Sequence, residues 1–215
     1  MALVPQSVSY LDPLMKVGTQ VRGRKADKEI IKAQREIFRR FHLDEKTEQL
    51  YPFQLSGGMA RRVLVSTAVL SGAEVIIADE PTPGLDLEMA LEALKIFREL
   101  SDEGKAVILI THDIDLAFHI ADRIAVFYAG TTVEIAAAKD FLEGVDALRH
   151  PYSKALWKAL PQNGFEPIPG FQPYAKYLPK GCLFSPRCPH KTKECEENIP
   201  MREVRGGYVR CIHAD

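Results

Sequence analysis

Val75-Ile76-Ile77-Ala78-Asp79-Glu80 constrains this chain more than any other segment. A compact β-branched run suits a strand buried on both faces, as in a parallel sheet. The two consecutive carboxylates then fall on the C-terminal edge of that sheet, where α/β proteins bind ligands. Asp79 would continue the strand and could hold Mg²⁺, directly or through water. Glu80 would face the open site and could polarise an attacking water. Read alone, the pair could equally be a solvated acidic turn. Neighbouring segments supply the grammar. Residues 2–4 look like the end of a short buried strand, and 7–25 are turn-rich. Helical periodicity covers 26–41, 59–70, 87–100 and 113–121, while 106–110 and 124–128 are apolar strands. Strand and helix alternate, which predicts an α/β domain with a parallel sheet.

Further segments point to the same edge. Leu55-Ser56-Gly57-Gly58-Met59 opens the helix at 59–70. Its glycines leave backbone N–H groups bare at the positive end of a helix dipole, which suits a phosphate. Ser56 as a simple helix cap explains the same residues, and the two readings are compatible. Gly84-Leu85-Asp86 follows the carboxylates at short range. Ile108-Leu109-Ile110-Thr111-His112-Asp113 places a lone imidazole at the tip of the next strand, where His112 could contact the same phosphate.

Lys plus Arg (28) nearly cancels Asp plus Glu (29), so no strongly basic nucleic-acid surface and no nucleic-acid partner are expected. No uncharged apolar run approaches the ~18 residues of a membrane span. Residues 1–6 lack the basic-then-apolar order of a secretory signal. A soluble cytoplasmic chain is expected, reaching any membrane through a partner. After His150-Pro151 the grammar changes: a short amphipathic helix over 152–160 precedes Pro161, Pro167, Pro169, Pro173 and Pro179. Such a stretch cannot build its own core and needs a staple. Cys182, Cys188, Cys195 and Cys211 all fall there, after 181 residues without cysteine. In a reducing compartment they read as a metal or cluster site rather than disulfides, with four unremarkable thiols as the alternative. A soft boundary near residue 150 separates domains 1–149 and 150–215.

LSGGM, VIIADEPT, GLD and THD, in that order and spacing, resemble the ATP-binding subunits of ABC transporters, from Gln6 to about residue 145. The resemblance implies a P-loop NTPase-type core and ATP hydrolysis with Mg²⁺. It makes Gln6 the Q-loop glutamine, and Ser56, Gly57 and Gly58 the signature that closes over ATP held by a partner subunit. Asp79 becomes the Walker B aspartate, Glu80 the catalytic base, Asp86 the D-loop aspartate and His112 the switch histidine. Met59 stands where the family usually has Gln. Nothing here matches G-x-x-x-x-G-K-(S/T), the loop that cradles the phosphates and that the family places before the Q-loop. The chain is therefore expected to be the C-terminal portion of a longer subunit, and to bind ATP poorly alone. A non-catalytic module serving a complete ATPase partner is the alternative.

The tail, from His150-Pro151-Tyr152 through Gly181-Cys182 and Pro186-Arg187-Cys188-Pro189 to Cys211, is similar to the C-terminal extension of the peptide/nickel class of ABC importers. That implies uptake of peptides, nickel or a related solute at the cytoplasmic face of the membrane. The implied partners are a second ATPase subunit, identical or different, two permeases and an extracytoplasmic solute-binding protein. The cysteine spacing, C-x₅-C-x₆-C-x₁₅-C, is looser than the usual zinc knuckle, and iron–sulfur sites tolerate such variation. The resemblance implies a structural 4Fe–4S cluster, with zinc or no metal as alternatives.

Overall fold

The computed structural model describes residues 1–24, 27–83 and 87–215, and of Met89 only the backbone. The chain packs as two compact units, Met1–Leu116 and Ala117–Asp215, so the change of composition at residue 150 falls inside the second.

In the first unit β1 (Ala2–Val4), β2 (Val75–Asp79) and β3 (Ala106–Ile110) form a parallel sheet in the order β1-β2-β3. The register pairs Val4 with Ala78, and Asp79 with Ile110. Around the sheet lie α1 (Val17–Arg22), α2 (Lys28–Arg40), α3 (Gly57–Leu70) and α4 (Leu87–Asp102). Asp27 caps α2 by accepting from the Ile30 N–H at 2.9 Å. Val4, Ile76 and Ala78 face the core with Val63, Phe97 and Leu100, all essentially buried. On the opposite face Leu3, Ile108 and Ile110 are about half exposed (57%, 51% and 49%).

The sequence reading had turns where α1 lies. This six-residue helix is set by a tertiary approach. A Cβ on Gly18 would stand 2.7 Å from Cβ of Glu48, so only glycine lets α1 close on that residue. Glu48 is itself held by Arg35 at 2.8 Å and Arg22 at 3.4 Å.

α5 (Ile114–Ile120) carries the chain into the second unit. There β4 (Arg123–Tyr128), β5 (Thr131–Ala137), β6 (Arg202–Val204) and β7 (Gly207–Val209) form an antiparallel sheet in the order β4-β5-β7-β6. This corrects one expectation: the strand at 124–128 does not join the parallel sheet. Ala129 (φ +48°) and Gly130 (φ +84°) form a two-residue turn with both residues left-handed, the geometry that folds a strand back on itself. Arg205 and Gly206 repeat the device between β6 and β7. The cysteine-bearing tail thus contributes β6 and β7 to a sheet, with β7 paired to β5.

A buried ion network joins these strands to α6 (Ala138–Glu143) and α7 (Pro151–Lys158). Glu134, fully buried on β5, accepts the backbone N–H groups of Arg149 (2.9 Å) and His150 (2.8 Å). The Arg149 guanidinium reaches Glu134 (3.4 Å), Asp140 (2.8 Å) and the Val204 carbonyl (2.6 Å). A Cβ on Gly207 would strike its Cζ at 2.8 Å. Such a network is costly to break by halves, because each remaining charge would be buried without a partner.

His150 caps α7 through Nδ1, which accepts the Tyr152 N–H at 3.0 Å. Burial lowers its pKa to about 4. Between that value and the ordinary ~6.5 the unfolded chain binds a proton that the folded chain does not, so stability falls as the pH drops. Wild type should lose about 3 kcal/mol of unfolding free energy between pH 7 and pH 4 beyond any loss in His150→Asn, which keeps a capping oxygen. Urea unfolding at the two pH values measures the difference.

Candidate functional site

Parallel pairing decides what meets at the C-terminal edge of the first sheet. Because Val4 lies opposite Ala78 and Asp79 opposite Ile110, the chain just past each strand brings Gln6, Asp79-Glu80 and Thr111-His112 to one edge. Gln6 is exposed there and Asp79 half-buried.

Glu80 makes the turn off the edge. Its N–H donates to the Ile110 carbonyl at 2.9 Å, as if the strand continued for one more bond. Its φ of +45° then swings the chain out of the sheet, a left-handed conformation that costs a non-glycine residue about 1–3 kcal/mol. Nδ1 of His112 lies 2.7 Å from Oε1 of Glu80 and donates to it when the carboxylate is ionised. Oε2 is buried and has no hydrogen-bond partner among the described residues. A buried carboxylate oxygen without a donor is costly, and it is an acceptor waiting for a water or ligand proton. Glu80 raises the His112 pKa, first through that hydrogen bond and then through its charge. The imidazole is four-fifths exposed, so it reaches solvent while its other face holds the carboxylate. Asp113 caps α5 behind it, accepting from the Leu116 N–H at 3.2 Å.

The Gly-Gly segment opens α3 as a capped helix start, with Gly58 buried. Ser56 caps α3, accepting the Met59 N–H at 3.2 Å. Ser56 and Gly57 are exposed, and a Cβ on Gly57 would meet no protein atom. Packing therefore does not demand glycine here, and the bare backbone faces open space. No hydrogen bond among the described residues joins this turn to Glu80 or His112. Its link to the edge runs through Arg61, which the sequence reading missed. Arg61 stands one turn into α3, is 5% exposed, and donates to the Pro5 carbonyl at 2.8 Å, next to Gln6. Burial lowers its pKa. Its sequence carries no distinguishing signal, since Arg62 stands beside it in the same helix. Asp86 lies outside the described residues.

In the second unit the four cysteines are free thiols, three of them buried and Cys188 partly exposed. All six pairings among Cys182, Cys188, Cys195 and Cys211 are close enough for one thiolate to feel another's charge. Burial, and then these neighbours, push the thiols of Cys182, Cys188 and Cys211 up. Gly181, at φ +71°, lets the two loops meet: a Cβ there would overlap the carbonyls of Cys195 and Glu197. The Cys182 N–H then donates to the Cys195 carbonyl at 2.9 Å. His213 approaches Cys195 Sγ at 3.5 Å. Among the described residues, no group of three or more Cys, His, Asp or Glu side chains is arranged to hold a metal ion.

Residues 1–83 match the family model described as ABC transporter, and residues 133–195 match that described as oligopeptide/dipeptide transporter, C-terminal region. The chain is 40% identical over 172 residues to the oligopeptide transport ATP-binding protein OppD of Escherichia coli, covering 77% of this chain and 50% of that protein. It is 35% identical over 215 residues to the dipeptide transport ATP-binding protein DppD of Bacillus subtilis, covering 92% and 62%. The chain spans about half the length of the oligopeptide relative. Among solved structures it resembles the dimeric post-hydrolysis state of the ATP-binding cassette MJ0796 bound to ADP and Pi. The TM-score is 0.56 at 28% identity, over 63% of this chain and 62% of that one.

Removing the charge on Glu80 should bring the His112 pKa down toward the ordinary ~6.5. Titration of the His112 ring protons by NMR in wild type and Glu80→Gln tests this; equal pKa values would mean that the 2.7 Å contact does not form in solution.

Proposed function

We propose that this chain, whose residues 1–83 match the ABC transporter family model, is part of the ATP-hydrolysing engine of a peptide importer. The observation that carries the proposal is the state of Glu80: one oxygen is held by His112, and the other is buried, without a hydrogen-bond partner among the described residues, at the edge of a parallel sheet. ATP would lie across that edge. Oε2 of Glu80 would accept a hydrogen bond from the attacking water and take its proton as the water oxygen bonds the γ-phosphorus, the β–γ P–O bond breaks and ADP leaves with that bond's electrons. His112, holding Oε1, would keep Oε2 aimed and present its exposed ring to the γ-phosphate.

The half-buried Asp79 carboxylate and exposed Gln6 fit a Mg²⁺ site at the same edge; when bound, the ion would neutralise phosphate charge. Ser56, Gly57 and Gly58 would offer bare N–H groups to ATP held by a second ATPase subunit, with Asp86 at the interface between the two. The phosphate-cradling loop is not among these residues and would come from polypeptide outside them. The half-exposed apolar face of Leu3, Ile108 and Ile110 supports this, since parallel sheets are normally covered on both sides.

Peptides, rather than nickel, are the proposed cargo, because the relatives named above are peptide-transport proteins. The assembly would pair two ATPase subunits at the cytoplasmic face of the membrane with two permeases and an extracytoplasmic binding protein. No helix among the described residues is long and apolar enough to cross a membrane itself.

The thiols would hold a structural 4Fe–4S cluster. Structural zinc sites generally use tighter C-x₂₋₄-C pairs than this C-x₅-C-x₆-C-x₁₅-C spacing, which a cluster tolerates. Four free thiols within electrostatic reach of one another fit the wider corners of a cluster.

In the reconstituted importer, Glu80→Gln should lower ATP turnover at least ~100-fold while nucleotide still binds; unchanged turnover would sink the assignment. Anaerobically purified protein should carry about four irons and absorb near ~400 nm, and Cys211→Ser should lose both. Iron-free, zinc-loaded protein would overturn the cluster.

A further inference from the structure

We propose that the second unit carries a binding cleft for a small amphipathic anion, a carboxylate on an apolar body, between α7 and the segment 166–170. The cleft encloses about 630 Å³, within the ~300–1,000 Å³ range of small-molecule sites. On one side α7 presents Lys154 and Lys158, four residues apart and so on one helix face. On the other lie Pro167 and Pro169, and Phe184 and Pro186 add further apolar wall.

The proline-rich wall is held open by a specific device. Nε of Arg187 donates to the Pro169 carbonyl at 2.8 Å, and its Nη2 to the Ile168 carbonyl at 2.9 Å. Gly170, at φ +75°, lets the segment cross close over the arginine stem, where a Cβ would already touch Cγ at 3.4 Å. Prolines on one side and a locked guanidinium on the other make the cleft largely pre-formed, which lowers the ordering cost of binding.

The charge pattern selects the ligand. Arg187 is committed to backbone carbonyls. Lys158 faces Glu166 at 3.8 Å in an exposed pair of little strength. No ion pair among the described residues engages Lys154. Asp146 and Glu166 are the acids in the lining, against Lys154, Lys158 and Arg187. The balance is cationic, and the walls between the charges are apolar. An inorganic anion would leave those walls wet, and an uncharged apolar molecule would leave the lysines unanswered; a carboxylate on an apolar body satisfies both. Cys188, the partly exposed thiol, also lines the cleft, so occupancy would cover the open side of the cysteine cluster. None of this depends on ATP hydrolysis by the first unit.

Titration calorimetry on the purified chain tests the proposal with four probes: trileucine, trileucine amide, octanoate and acetate. Trileucine or octanoate should bind saturably, one per chain. The amide and acetate should bind at least tenfold more weakly. The tighter of the two carboxylates tells a peptide source from a lipid one. The double variant Lys154→Ala/Lys158→Ala should weaken binding tenfold, and Ala155→Trp, which fills the cleft, should abolish it. Lys139→Ala, exposed on α6, should change nothing. Failure of both carboxylates to saturate would overturn the cleft. So would wild-type affinity in the lysine pair or in Ala155→Trp, with circular dichroism unchanged.

Discussion

Parallel pairing of β2 between β1 and β3 is the constraint on which the first unit depends. Three strands running the same way must end on the same side, so residues 74 positions apart in the chain, Gln6 and Glu80, leave the sheet at one edge. His112 arrives there by the same rule. The chemistry is concentrated at that edge because each chain there must leave the ladder and free its side chains. Glu80 shows this most directly: one last ladder-like bond to Ile110 holds its backbone, and a left-handed turn aims its carboxylate away from the sheet.

A different constraint organises the second unit. Glu134 and Arg149 are both buried, and each satisfies the other while bonding backbone groups from α7's approach and the β6–β7 hairpin. This network does not require a large apolar core, which suits a segment rich in proline and poor in periodic hydrophobic residues. Gly207 and Gly181 do similar work at two points, each removing a side chain so that another part of the chain can close. The loops that bear the cysteines are brought together in this way, before any metal is considered.

Elements with strong periodicity were legible. The β-branched run at 75–77 became β2, and the helices at 28–40, 57–70 and 87–102 fell where spacing placed them. The carboxylate pair and the imidazole also reach one edge, as their places at strand ends implied. Elements created by distant contacts were not legible. The short helix α1 exists because Gly18 can close on Glu48, and Arg61 is tied to Pro5, 56 residues away in sequence. The strand expected at 124–128 is present, at 123–128, but is antiparallel, since its apolar run carries no information on direction; the Ala129–Gly130 turn does.

The sequence by itself determined which residues can do chemistry here and on which kind of element each stands, because backbone propensity and side-chain type are local properties. Only the tertiary structure decided that Glu80 binds His112 with one oxygen and, among the described residues, finds no partner for the other. It alone decided that Arg61 joins α3 to the chain just past β1, and that the β6–β7 hairpin adds the cysteine-bearing tail to the β4–β5 sheet. Those outcomes depend on distances between residues far apart in the chain. Such distances are set by strand pairing and by the few glycines that let backbones approach.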